Sequence, residues 1–129
     1  MNKHLFQIGP FKSHSGLTLG FKIECDALTD EDWKTFSVLI AAKVGRYSHV
    51  IGVKHGGSQL ATYLCEWSTY EGTDPVIIVD DVLTTGASIE DARKEWVSSG
   101  WEVRGIVLFA RGECPDWVTP IFTLNPQFN

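Results

Sequence analysis

The apolar residues of this chain change their spacing several times, and each change marks an element. Residues 1–28 keep no sustained period. They mix glycine, serine and aromatic residues and read as an irregular or hairpin-like lead-in, with short strands at Leu17–Ile23. Helical spacing then begins, with Trp33, Phe36, Ile40 and Val44 on one face. Thr29 is the expected N-cap and Asp32 stands at the capping-box spacing. Asp30, Glu31 and Asp32 suit the positive end of a helix dipole, and Gly45 ends the helix.

From there strand and helix patterns alternate. His49–Lys54 carries Val50, Ile51 and Val53 and reads as a short buried strand closed by Gly56-Gly57. Ser58 is positioned to cap a helix whose apolar side holds Leu60, Leu64 and Trp67. Gly72 to Pro75 reads as a turn. Val76-Ile77-Ile78-Val79 is a continuous, mostly β-branched run, as in a strand covered on both faces. After a loop, a helix is expected from Ser88 to Ser99, stopped by Gly100. Val103–Ala110 is a further strand, and Ile121–Leu124 a short last one. This order predicts an α/β fold, a single-domain open parallel sheet flanked by helices. Ligands of such sheets sit beyond the carboxyl ends of the strands. Lys54–Ser58 and Asp80–Ser88 fall there.

Composition narrows the partners. The 129 residues suit one domain, and 43% hydrophobic with 21% charged residues is ordinary for a globular chain. A net charge of −5 argues against a nucleic-acid partner held by general attraction. No apolar run is long enough to span a membrane, and Gly9-Pro10 interrupts any signal-peptide core, so a cytoplasmic location is expected. Cys25, Cys65 and Cys114 are odd in number and lack metal spacing, which fits reduced thiols.

The chemistry concentrates at Asp80-Asp81-Val82-Leu83-Thr84-Thr85-Gly86-Ala87-Ser88. Two adjacent carboxylates end a buried strand and need compensation. Gly86 permits a tight turn. The N–H groups of Thr84, Thr85, Gly86, Ala87 and Ser88, leading into a helix, form an anion nest to which hydroxyls add donors. Phosphate on the donors and sugar hydroxyls on the carboxylates use both halves, and Mg²⁺ is the usual partner of phosphates. An ordinary strand-to-helix loop with an N-cap serine is the plain alternative.

The string as a whole resembles the phosphoribosyl-pyrophosphate signature of the type I phosphoribosyltransferases, and the orotate phosphoribosyltransferase branch fits best. Gly9-Pro10-Phe11-Lys12-Ser13-His14-Ser15-Gly16, with Phe21 after it, is similar to that branch's opening. Leu28-Thr29-Asp30 looks like its acidic lead into a helix. Gly52-Val53-Lys54-His55-Gly56-Gly57-Ser58-Gln59-Leu60-Ala61 resembles its pyrophosphate loop. Ala110-Arg111 stands where the branch often has Asp-Arg near the base.

The resemblance implies a core over residues 29–110 and a small hood from residues 1–28 and 111–129. Asp80 and Asp81 would serve the ribose hydroxyls and Mg²⁺. Thr84, Thr85, Gly86, Ala87 and Ser88 would hold the 5′-phosphate, and Lys54, His55, Gly56 and Gly57 the pyrophosphate. Arg111, His14 and Phe21 would face a nitrogenous base, by resemblance an orotate-like pyrimidine. A homodimer stays open. Phe21 and Phe109 suit either a base or the core, and His49 reads as structural.

The pattern breaks in one segment. The family carries another strand and a mobile lid with cations between its Gly-Gly helix and the acidic turn. Thr62 to Pro75 contains no Lys, Arg or His and has room for little beyond a helix end and a turn. Near the base, Glu90 stands where some relatives have arginine. A phosphoribosyltransferase and a lid-less sensor of phosphoribosyl pyrophosphate or a nucleotide are both consistent with this pattern.

Overall fold

A computed structural model describes residues 5–12, 18–83 and 85–124. The lead-in is an antiparallel pair, β1 (Phe6–Lys12) and β2 (Thr18–Ile23), in agreement with the hairpin reading. Helix α1 (Asp30–Val44) follows. Its capping box is formed as the sequence predicts. The Asp32 N–H donates to Thr29 Oγ1 at 3.2 Å, and the Thr29 N–H donates to Asp32 Oδ2 at 2.9 Å. Gly45 ends the helix at φ +73°, a conformation open to glycine at no steric cost.

Four parallel strands form the main sheet: β3 (His49–Gly52), β4 (Val76–Leu83), β5 (Val103–Ala110) and β6 (Val118–Thr123), in that spatial order. Helix α2 (Lys54–Leu64) joins β3 to β4, and α3 (Ala87–Ser98) joins β4 to β5. The predicted open parallel sheet flanked by helices is therefore present. Alternation along β4 builds two cores. Ile77 and Val79 join Trp33 and Ile40 of α1 and Leu60 of α2, whereas Ile78 joins Ile89 of α3. Both faces are covered, which is why Val76–Val79 reads as an unbroken apolar run.

Several boundaries differ from the sequence reading, each for a tertiary reason. The apolar run stops at Val79, but β4 continues to Leu83, because Asp80, Val82 and Leu83 pair with Val107, Phe109 and Ala110 of β5. The acidic pair thus lies on a strand, not in a loop. Helix α2 starts at Lys54, so Gly56-Gly57 lies inside its first turns instead of closing the strand. Ser58 does not cap it: Val53 is the N-cap, and Ser58 Oγ donates back to the Lys54 carbonyl at 2.8 Å. Trp67 leaves the apolar face and is exposed. The Tyr47 hydroxyl donates to the Leu64 carbonyl at 2.6 Å where α2 ends, and Cys65–Trp67 turns away as a 3₁₀ helix. Strand β6 starts at Val118, ahead of the expected Ile121; at the sheet edge it tolerates Pro120.

The segment 62–75 confirms the shortened form. After the 3₁₀ turn, the Thr69 and Tyr70 N–H groups donate to the Tyr47 and Ser48 carbonyls, and the chain passes straight into β4. No strand intervenes, so β3 is left as a sheet edge. Cys25, Cys65 and Cys114 form no disulfide.

Candidate functional site

Glycines bring the two predicted loops together at the carboxyl ends of β3 and β4. A Cβ on Gly52 would stand 2.5 Å from the Gly57 carbonyl oxygen, and one on Gly57 would strike the Val79 carbonyl. A Cβ on Gly56 would fall inside the Asp81 carboxyl group. The paired glycines thus let α2 start directly against the acidic end of β4. Lys54 opens that helix at φ +59°, in the left-handed region that costs a side-chain-bearing residue about 1–2 kcal/mol. Strain of this kind is maintained where the surrounding structure fixes it. Here the Gly57 N–H donates to the Val53 carbonyl at 3.1 Å, and the Val53 N–H to the Val79 carbonyl at 2.9 Å.

The two carboxylates differ sharply. Asp80 is 3% exposed, whereas Asp81 is half-buried and lines a cavity. Asp80 Oδ1 accepts from the Asp81 N–H at 2.8 Å, and Asp81 Oδ1 accepts from the Val82 N–H at 2.7 Å. Burial, then the side-chain hydrogen bond and the charge of Asp81, push the Asp80 carboxyl up to about 8; the Lys54 charge opposes this. Burial therefore disfavours a second charge at Asp80. Asp81 is the carboxylate offered to a ligand.

Beyond β4, Gly86 is the N-cap of α3 at φ +81°. The Ala87 N–H points to Thr85 Oγ1 at 3.4 Å, a weak contact. First-turn N–H groups have no intrahelical acceptor, and the dipole favours an anion there. Thr85, Gly86, Ala87 and Ser88 therefore stand together at one helix N-terminus. Ser88 lies within the first turn and is not the cap. Thr84 and His14 lie outside the described residues. Phe21 is on β2 opposite Ile8.

Around the base end the residues separate. Arg111 follows β5, its N–H donating to the Leu83 carbonyl at 3.1 Å, and burial lowers its guanidinium from the ordinary value. Glu90 is engaged within the fold, accepting from Arg93 Nη1 and Trp117 Nε1, both at 3.0 Å. Phe109 is core: it stacks on Phe122 at 5.5 Å and meets Phe36 edge-on. His49 lies among Tyr70, Trp96 and Trp101 at the opposite ends of the strands, which agrees with a structural role.

A cavity of about 250 Å³ opens beside the Gly56–Asp81 contact. It is lined by His55 and Gln59 of α2, Asp30 and Trp33 of α1, and residues following β2, among them Glu24. Sequence reasoning did not single out Glu24 or Gln59. Only the folded arrangement of β2, α1 and α2 brings them to Asp81. Among the described residues no group of three His, Cys, Asp or Glu side chains could cage a metal. Mg²⁺ is commonly bound by one or two carboxylates plus substrate oxygens, and Asp81 on the cavity wall is a residue that would hold it in that way. No helix among the described residues is long and apolar enough to cross a membrane.

Comparison by sequence with protein-family profiles and with characterised proteins finds no match. Solved structures do match. The orotate phosphoribosyltransferase of Aeropyrum pernix superposes with a TM-score of 0.74 at 27% identity, over 92% of this chain and 88% of that one. That of Mycobacterium tuberculosis H37Rv, in complex with Fe(III) dicitrate, gives 0.71 at 16% identity over 93% and 90%. A phosphoribosyltransferase of Corynebacterium diphtheriae gives 0.68 at 16% identity over 82% and 84%. The chain has the type I phosphoribosyltransferase fold. Within that fold its likeness runs to the orotate phosphoribosyltransferases, in a shortened form.

Proposed function

We propose that this protein binds Mg²⁺-phosphoribosyl pyrophosphate and transfers the phosphoribosyl group to a nitrogenous base, releasing pyrophosphate. The observation that carries this reading is the Gly56–Asp81 contact. It sets the start of α2, with Lys54 and His55, against the carboxylate that precedes the second helix N-terminus. The site then has a place for each part of the donor. Lys54, His55, Gly56 and Gly57 take the pyrophosphate. Thr84, Thr85, Gly86, Ala87 and Ser88 take the 5′-phosphate. Asp81, with the buried Asp80 behind it, takes the ribose hydroxyls. Arg111, His14 and Phe21 face the base, for which the resemblance suggests an orotate-like pyrimidine.

The reaction needs no protein nucleophile. A base nitrogen donates its electron pair to the anomeric carbon, the bond from that carbon to pyrophosphate oxygen breaks, and pyrophosphate leaves with those electrons. The base N–H proton passes to solvent. The protein's part is positioning and charge stabilisation. Bound Mg²⁺ would neutralise charge on the leaving pyrophosphate. The reading includes a cytoplasmic location and leaves a homodimer open.

A second reading has its own observation. Thr62 to Pro75 holds a helix end and a turn and lacks any cation, so this segment supplies no cationic lid. A binding module that senses phosphoribosyl pyrophosphate or a nucleotide would need none. Thermal unfolding with Mg²⁺ and phosphoribosyl pyrophosphate tests both readings, and no shift at millimolar ligand would sink both. Pyrophosphate release with a panel of bases separates them: turnover supports the transferase, and tight binding without turnover supports the sensor.

A further inference from the structure

Both oxygens of the Glu90 carboxylate are held, and by different elements. Oε1 accepts from Arg93 Nη1, one turn further along α3, and Oε2 accepts from Nε1 of Trp117, which precedes β6. The Arg93 guanidinium lies 5.1 Å from the centre of the Trp117 ring. That ring rests on β5. A Cβ on Gly105 would stand 2.7 Å from Trp117 Cζ3, and the Gly105 N–H donates to the Trp117 carbonyl at 2.9 Å. The indole therefore has a fixed seat, and its one polar hydrogen is given to Glu90. With side chains 36% and 35% exposed, the Glu90–Arg93 ion pair adds little stability by itself. What sets it apart is the third member, supplied by a separate element.

Glu90 stands in the first turn of α3, and its N–H donates to the Gly86 carbonyl at 3.0 Å. Helical side chains lean towards the N-terminus, so a carboxylate at this position is directed to the turn that presents free N–H groups. Left to itself it would act there as an internal anion, drawn by the dipole and by those donors as in a capping box. It would then compete with a bound phosphate and repel it. Arg93 and Trp117 draw it aside.

We propose that Trp117, acting through Glu90, is a positioning residue for the 5′-phosphate end of the site. With Arg93 it holds the Glu90 carboxylate away from the start of α3 and leaves the N–H groups there open to the ligand. The inference rests on the phosphoribosyl reading above and adds residues that reading does not use. Trp117 acts from the sheet side, through a hydrogen bond and not by contact with the phosphate.

The test titrates ribose 5-phosphate and Mg²⁺-phosphoribosyl pyrophosphate into the full chain by calorimetry. Trp117→Phe keeps a ring on Gly105 but removes the donor, and should weaken ribose 5-phosphate binding about fivefold. Adding Glu90→Gln to that variant should bring the affinity back to within about twofold of wild type. The double variant still lacks the Trp117 hydrogen bond, so a merely structural role for that bond predicts no recovery. Glu90→Gln alone should bind at least as tightly as wild type. Should Trp117→Phe fold poorly, Arg93→Gln frees the carboxylate from its other side. It should lose about threefold, recovered by the same Glu90→Gln change. Unchanged affinity in Trp117→Phe, or in Arg93→Gln where that variant decides, overturns the positioning role and leaves the phosphoribosyl reading standing. So does a loss that Glu90→Gln does not recover, or a loss in Glu90→Gln alone. Wild-type protein that binds neither probe removes the phosphoribosyl reading, and this inference falls with it.

Discussion

Gly56 of α2 and the Asp81 carboxyl group of β4 are packed so closely that a Cβ on Gly56 would overlap the carboxyl atoms. A glycine within a helix is normally improved by alanine, by about 1 kcal/mol. Here the sign reverses. Gly56→Ala must displace either the carboxylate or the start of α2, at a cost of roughly 1–3 kcal/mol for overpacking. The expected result is a lower midpoint in urea and loss of the thermal shift given by Mg²⁺-phosphoribosyl pyrophosphate. An unchanged ligand shift would separate this contact from the site.

The two carboxylates should divide their effects. Asp81→Asn removes the carboxylate that lines the cavity and should reduce ligand stabilisation at least tenfold in apparent affinity. Asp80→Asn should retain most of it, because Asp80 is buried away from the cavity and its burial disfavours the charged form. Equal losses in calorimetric titrations of the two variants would contradict this division.

Asp80 also sets a pH dependence of stability. Its folded carboxyl is pushed up to about 8, against an ordinary 3.8, chiefly through burial. The native state therefore keeps a proton that the unfolded chain releases. The contribution is fully present below about pH 3.8 and is lost as pH rises towards 8. Its limiting slope is about 1.4 kcal/mol per pH unit for one proton. Asp80→Asn should abolish that slope, so the variant should gain on the wild type steadily from pH 5 to pH 8 in urea unfolding. Parallel profiles across that range would count against the buried proton.

Lys54 combines strain with charge. Lys54→Gly relieves the left-handed backbone and should raise stability by about 1 kcal/mol, while weakening the response to pyrophosphate. Lys54→Ala keeps the strain and loses the same cation. Both variants should therefore bind pyrophosphate poorly in calorimetry, but only the glycine variant should gain stability. A gain in both would mean that the backbone is not strained.

Much of this arrangement is readable from residues that act locally. Thr29 and Asp32 announce the start of α1, and the run Val76–Val79 announces a strand covered on both faces. What escapes is decided at a distance. Asp80 and Asp81 look like a loop because charges seldom belong in a buried strand; the ladder to Val107 and Phe109 keeps them in one. Gly56-Gly57 looks like a turn because nothing in its neighbourhood reveals Asp81 or the Val79 carbonyl. Which acid is buried, and which meets the cavity, likewise depends on packing between elements. The absence of the lid was legible, because a missing segment shows as plain length between Thr62 and Pro75.

The direct passage from β3 through α2 to β4 has a kinetic consequence. Both partners of the Gly56–Asp81 contact belong to one strand–helix–strand crossover, so they are only 25 positions apart. Contacts of short sequence separation close at small entropic cost and favour rapid folding. With no extra strand to be threaded between them, the Gly56–Asp81 contact closes together with that crossover.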